Sequence, residues 1–260
     1  MEGKVVFIGA GPGDPELITV KALRYIRRAD VILYAGSLVN PNIVARWGRR
    51  DAEVINTADL TLEEIVSIMV DRARRGMLVA RLKSGDPSIY GALLEEMWAL
   101  EEAGVEYEVV PGITAAVAAA AVLNIELTMP KLVQTVIITR ASVRVPMEGS
   151  LKDYAPFAAR GAVLVIYTAV HVIDRVVAEL REAGLPEDTP VAVVYKATWP
   201  DQRVVKGVLK DIAEKVKREG IVRDAVVIVG KSADPVLYKN LIRSSVYDPA
   251  HSHSYRPRRL

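Results

Sequence analysis

The chain has 260 residues, 51% of them hydrophobic, with 34 Lys and Arg against 32 Asp and Glu and no cysteine. A net charge of +2, its cations interspersed among acids, leaves no electrostatic footprint for nucleic acid, and the missing thiols exclude disulfides, thiolate metal sites and cysteine nucleophiles together. The longest apolar run, Ala115 to Leu123, has about half the length a bilayer needs, and Met1-Glu2-Gly3-Lys4-Val5 lacks a signal-peptide layout, so a cytoplasmic protein with no membrane partner is expected.

Val5 to Ile8 is a short, continuous apolar run, the pattern of a strand covered on both faces. It leads into Gly9-Ala-Gly-Pro-Gly-Asp-Pro15, and Leu17, Ile18, Val20, Ala22, Leu23 and Ile26 give residues 16–29 a helical stripe. Val31 to Tyr34 predicts a second buried strand ending at Ala35-Gly36-Ser37. Asn40-Pro41 opens a short helix, and Glu53 to Ile55 reads as a brief strand. Thr61 and Glu64 form a capping box for a helix that buries Leu62, Ile65, Val66, Met69, Val70 and Ala73 and is closed by Gly76. A strand from Met77 to Leu82 then enters Arg81-Leu-Lys-Ser-Gly-Asp-Pro-Ser-Ile-Tyr-Gly91, a polar turn of the kind that places ligands at the carboxyl ends of open α/β sheets. A helix to Gly104, a strand from Glu106 to Val110 and the turn Pro111-Gly-Ile-Thr114 complete an alternating βα series, which argues a mainly parallel sheet with helices on both faces.

Ala115 to Leu123 reads as a tightly packed helix, followed by a connection to Lys131. A second series has strands at Val133–Thr139, Ala162–Tyr167, Val191–Tyr195, Arg203–Val208 and Ala225–Val229, with helices at Asp174–Glu182 and Leu209–Arg218. The short link around Asp201-Gln202 predicts a hairpin, so this half is expected to hold a mixed sheet. The fold class is therefore α/β, with two α/β domains at 1–115 and 116–245 and a frayed tail at 246–260. His251 and His253 lie in that tail without a third ligand nearby, and a solvated tail is the better reading than a metal site.

Gly9, Gly11 and Gly13 invite a dinucleotide fingerprint, but the third glycine is misplaced, Pro12 and Pro15 remove donors a pyrophosphate needs, and no acidic residue ends the second strand. The loop reads as one that a ligand lacking phosphate approaches closely. His171 at a helix start, Ser84 outside any nucleophile elbow, and carboxylates scattered on helix faces identify no catalytic residue. Such scarcity suits a reaction whose reactive bond arrives on a cofactor.

Gly9 to Pro15, Arg81 to Gly91, Val110-Pro-Gly-Ile-Thr114 and the segment from Tyr195 to Arg203, in this order, resemble the tetrapyrrole methylases over roughly residues 3–232. Tyr34-Ala-Gly-Ser-Leu-Val39, Gln134 to Arg140 and Lys196 to Gln202 are most similar to the branch of that family that methylates C11 of precorrin-4 or cobalt-precorrin-4. The resemblance implies S-adenosylmethionine bound in a cleft between the two domains. The matching positions are Pro12, Gly85, Asp86, Ile89, Thr114 and Ala115, with Thr168, Ala197 and Thr198 from later in the chain. Thr168 stands where some relatives carry methionine and Ala197 where some carry glycine. A carboxylate-fringed macrocycle would pair with cations, for which Lys83, Arg140, Arg144 and Arg203 are candidates, and a homodimer is typical of the family. Methylation at C17 or C20 or of uroporphyrinogen III, a diphthine synthase, and a non-catalytic module that binds the cofactor stay open as alternatives.

Overall fold

The computed structural model describes residues 3–141, 149–167 and 169–239, together with Ser244 and Ser252. Expectations for Arg144, Thr168, His251, His253 and most of the 246–260 tail concern positions outside the described residues. The chain divides into two compact units, Met1–Ala118 with Thr198–Pro200, and Ala119–Ala197 with Asp201–Leu260.

The first unit holds β1 (Lys4–Gly9), β2 (Val31–Tyr34), β3 (Glu53–Asn56), β4 (Leu78–Lys83) and β5 (Tyr107–Val110). They form one sheet in the order β3-β2-β4-β1-β5, every pair parallel, as the alternating βα pattern predicts. Successive residues of β1 face opposite sides, and both sides are covered. Val6 and Ile8 pack with Ala22 and Ile26 of α1 (Val20–Ile26) and Ile43 of α2 (Pro41–Trp47). Val5 and Phe7 pack with Ile65, Met69 and Ala73 of α3 (Leu62–Arg74) and Leu100 of α4 (Leu93–Glu102). That two-sided burial is why the strand reads as an unbroken apolar run.

The helix expected over 16–29 is broken. Pro15–Leu17 form a 3₁₀ turn, and the Thr19 hydroxyl accepts from the Ala22 N–H at 3.2 Å and starts α1 at Val20. A threonine inside the apolar stripe acts as a cap because its oxygen competes for the first free N–H groups. The Thr61–Glu64 capping box is present with both bonds made, Glu64 N–H to Thr61 Oγ1 at 3.3 Å and Thr61 N–H to Glu64 Oε2 at 2.8 Å.

The boundary between the units falls within α5 (Ala115–Leu123). The second unit contains β6 (Val136–Arg140), α6 (Leu151–Ala159), β7 (Val163–Tyr167), α7 (Ile173–Glu182), β8 (Pro190–Tyr195), β9 (Arg203–Val208), α8 (Ile212–Arg218) and β10 (Ala225–Val229). Its sheet runs β6-β7-β10-β8-β9, with β6 parallel to β7 and the other pairs antiparallel. The expected mixed sheet is found. Leu164, Ile166, Val191 and Val227 pack with Leu151 of α6, Leu180 of α7 and Ile212 of α8. Strand β6 starts later than expected, because Val133 pairs with Met129 in an isolated bridge. β8 and β9 are antiparallel from Tyr195 opposite Arg203, but their link, residues 196–202, is longer than a tight hairpin turn.

Thr61→Ala removes half of the capping box that starts α3 and is expected to cost about 1 kcal/mol. For a chain of this size that is a fall in Tm of about 2–4 °C in calorimetry, and an unchanged Tm would contradict the assignment of this cap.

Candidate functional site

Strands β4, β1 and β5 are neighbours, so the loops that leave their carboxyl ends lie side by side. Gly11 N–H donates to Gly85 O at 3.1 Å, Gly85 N–H returns a bond to Gly11 O at 2.9 Å, and Ala10 N–H donates to Lys83 O at 2.8 Å. The third loop presses closer still. A Cβ placed on Gly9 would lie 2.4 Å from Gly112 N, and one on Gly112 would lie 2.3 Å from Gly85 O. Both obstacles are backbone atoms that cannot swing away, so these two positions admit only glycine. Asp86 closes the cluster, its Oδ2 accepting from Gly112 N–H and its Oδ1 from Ser88 N–H, both at 2.8 Å. Thr114 and Ala115, at the start of α5, lie beside Gly85, where an added Cβ would meet Thr114 Cα at 3.5 Å and Ala115 N at 3.7 Å.

The segment Thr198–Pro200 belongs to the same unit and braces the first loop. Thr198 Oγ1 accepts from Asp14 N–H at 3.0 Å, and the Trp199 indole N–H donates to Pro12 O at 2.9 Å. A Cβ on Gly13 would fall 2.1 Å from the Trp199 ring. Asn40, buried ahead of α2, donates from Nδ2 to Gly13 O at 2.8 Å while its Oδ1 caps that helix at Asn42 N–H. Thr198 holds φ +72°, costly for a β-branched residue and of the kind that collects at ligand sites. Three of the sequence motifs and the Thr198–Pro200 part of the fourth thus meet within one unit, and Pro12, Gly85, Asp86, Thr114, Ala115 and Thr198 come together, with Ile89 donating its N–H to Asp86 O.

This geometry also decides what the loop does not bind. Ala10, Gly11 and Asp14 spend their N–H groups on protein acceptors, and Pro12 and Pro15 have none to offer. A pyrophosphate cradle needs those donors turned outward. The loop is built of close backbone and small residues, with the N–H groups of Ala10, Gly11 and Asp14 turned to protein acceptors, which fits a nucleoside ligand without phosphate.

A family model described as Tetrapyrrole (Corrin/Porphyrin) Methylases matches residues 4–213. The chain belongs to the tetrapyrrole methylases. It is 48% identical over 255 residues to a cobalt-precorrin-4 C(11)-methyltransferase of Methanocaldococcus jannaschii, covering 97% of this chain and 96% of that protein. A solved cobalt precorrin-4 methyltransferase, described as a cobalamin biosynthetic enzyme, superposes with a TM-score of 0.85 at 45% identity, covering 89% of this chain and 96% of that one. A uroporphyrin-III C-methyl transferase from Thermus thermophilus, solved with S-adenyl homocysteine, superposes with a TM-score of 0.74 at 31% identity, covering 88% of this chain and 98% of that one.

In this tetrapyrrole methylase the remaining candidates are placed as follows. Ala197 is buried in the second unit, one residue after φ turns positive at Lys196. Arg140 is half-buried at the end of β6, and Arg203 is exposed at the start of β9, its guanidinium 4.6 Å from the Tyr195 ring centre and bonded to Glu219 O. Lys83 differs from expectation, being only 7% exposed and paired with Glu96. An ammonium withdrawn from solvent onto an internal carboxylate is not available to a substrate's carboxylates as a surface lysine is, so it is not carried forward as a substrate contact. Asn40, Trp199, Gly9 and Gly112 shape the site without having been singled out as site residues. Of these, the glycines and Trp199 carried a signal, through their place in the motifs.

Burial pushes the Asp86 carboxyl up, but the hydrogen bonds from Gly112 and Ser88 more than reverse this and hold its pKa below the ordinary aspartate value. With the folded pKa below the unfolded one, its stabilising contribution is complete above the unfolded value of about 4 and is lost as pH falls through the folded value. Wild type is expected to lose stability more steeply than Asp86→Asn as pH drops below about 4. Equal acid slopes in urea titrations would contradict the two backbone bonds. Gly112→Ala forces backbone apart and is expected to cost about 1–3 kcal/mol by chemical denaturation, with a cost near zero ruling out the close approach.

Proposed function

We propose that this chain is an S-adenosylmethionine-dependent methyltransferase that methylates C11 of precorrin-4 or cobalt-precorrin-4 in cobalamin biosynthesis. The observation that carries the reading is the loop cluster at the carboxyl ends of β4, β1 and β5, in which the N–H groups of Ala10, Gly11, Asp14, Gly85, Ser88 and Gly112 are bonded within the protein. The likeness to the cobalt-precorrin-4 methyltransferases, over nearly the whole of each chain, supports the substrate, and the complex of the Thermus thermophilus relative supports the cofactor.

Pro12, Gly85, Asp86, Ile89, Thr114, Ala115 and Thr198 would hold the cofactor, and the family resemblance adds Thr168 and Ala197 to the positions proposed for it. When bound, it supplies a methyl group on a sulfonium centre for attack by an electron-rich ring carbon. The chain's part is to align donor with acceptor and to exclude water, since charge on sulfur is discharged as the bond forms. Arg140, Arg144 and Arg203 are the cations proposed to meet the ring's carboxylates. Asp86 acts on the cofactor chiefly by holding Gly112 and Ser88 in place, because each of its oxygens already accepts a backbone N–H. A cytoplasmic homodimer is the form in which a member of this family is expected to work.

Calorimetry should find S-adenosylhomocysteine bound by the wild-type chain, and Asp86→Ala should weaken that binding by about tenfold or more, the loss of charge-assisted bonds. Incubation with precorrin-4 and cofactor carrying a ¹³C-labelled methyl should place the label on C11 by NMR. A methyl at another ring carbon would overturn the substrate assignment, and absence of S-adenosylhomocysteine binding would overturn the whole reading.

A further inference from the structure

Beneath the loop cluster lies a buried ionic group that the methyl transfer itself does not call on. Glu96, in the first turn of α4, accepts from Arg81 Nε and Nη2 at 3.1 Å each and from Lys83 Nζ at 2.5 Å. Arg81 Nη1 donates to Thr57 Oγ1 at 2.9 Å, and the Lys83 ammonium lies 6.0 Å from the Phe7 ring centre. Arg81, Lys83 and Glu96 are 5%, 7% and 3% exposed. Two cations thus share one carboxylate out of reach of solvent, and the buried triad has one more cation than acid, with the exposed Glu95 carboxylate acting on Lys83 from outside it.

Such a surplus does not favour stability. Arg81 and Glu96 form a balanced pair with two parallel bonds, and adding Lys83 means desolvating a further charge. Burial lowers the Lys83 pKa, and Arg81 lowers it further, against the opposing pull of Glu96. A residue kept where it costs stability is expected to serve something else.

The position of the group says what. Lys83 is the last residue of β4, and Glu96 sits just beyond the start of α4, so the two flank the loop that carries Gly85, Asp86 and Ile89. That loop has left-handed backbone at Tyr90 (φ +53°) and Ala92 (φ +46°). Ala92 occupies the N-cap of α4 and makes no side-chain cap. A helix that begins without a cap has nothing local to fix where its first turn lies. Glu96, anchored to the strand on the other side of the loop, supplies that constraint from within.

We propose that Lys83, with Arg81 and Glu96, is a positioning residue that clasps the end of β4 to α4 and so sets the Gly85–Gly91 loop for the cofactor. The cofactor part rests on the methyltransferase reading. The loop part does not, and the test separates them.

Lys83→Met leaves Arg81 and Glu96 as a one-to-one pair, so the variant is expected to fold with a Tm equal to or above that of wild type. In hydrogen exchange without ligand, the Ser88 and Gly112 amides held by Asp86 should exchange about tenfold faster, the equivalent of one lost charge-assisted bond. S-adenosylhomocysteine should bind more weakly by a similar factor, and KM for the cofactor should rise more than kcat falls. Exchange at Ser88 and Gly112 unchanged from wild type overturns the clasp, and so does a Lys83→Met chain that unfolds, because Lys83 would then be no surplus. Faster exchange with cofactor affinity unchanged overturns the link to binding. A wild type that binds no S-adenosylhomocysteine, while the variant's loop amides exchange faster, refutes the methyltransferase reading and leaves the clasp standing.

Discussion

Three glycine backbones approach one another where β1, β4 and β5 end, and the site depends on that contact. A Cβ on Gly9 or on Gly112 would strike the backbone of the other or of Gly85, and the reciprocal Gly11–Gly85 bonds then close the first two loops onto each other. The contact exists because the strand order puts β1 between β4 and β5. In a parallel sheet all three chains leave on the same edge, so loops distant in sequence become neighbours without any of them reaching far. Everything around the cluster serves to keep it in register: Asp86 on Gly112, Asn40 and Trp199 on the first loop, and the Lys83–Glu96 pair beneath the second.

A site of this kind does its work with shape. The chemistry it is proposed to support brings its own electrophile, so there is no nucleophile to activate and no buried histidine is needed. What must be controlled is alignment over a short distance, and backbone held by hydrogen bonds at both ends loses little entropy when a ligand arrives. The same logic explains the treatment of charge. The cations that are candidates for an acidic macrocycle, Arg140 and Arg203, lie in the second unit, while the first buries its Lys83 and Arg81 on Glu96. Burial thus sets Lys83 and Arg81 apart from the half-buried Arg140 and the exposed Arg203.

Much of this was legible from residues alone, and the exceptions have physical causes. The parallel order of the first sheet showed in apolar runs such as Val5–Ile8, because two-sided burial leaves no room for alternation. The antiparallel β8–β9 pair showed in the short spacing between Tyr195 and Arg203. Helix α6 did not show, since Pro156 inside it reads as a breaker; the Ser150–Asp153 capping box was the signal that outweighed it. The true start of α1 was hidden because Thr19 sits within an apolar stripe and its capping bond is local. For Lys83 the sequence left two roles open, facing a substrate or supporting the turn, because only the fold brings Glu96 across thirteen positions to cover it. The hold that Trp199 and Asn40 have on the first loop did not show either, because Pro12 lies far from Trp199 in sequence and Gly13 far from Asn40.

The most direct test of the account is a crystal structure of the chain with S-adenosylhomocysteine. The nucleoside is expected against Gly85, Asp86 and Ile89 and the start of α5 at Thr114 and Ala115, with the Gly11–Gly85 and Asp86–Gly112 bonds unbroken. A ligand seated elsewhere, or one that breaks those bonds to reach the loop amides, would contradict a site made of preformed backbone.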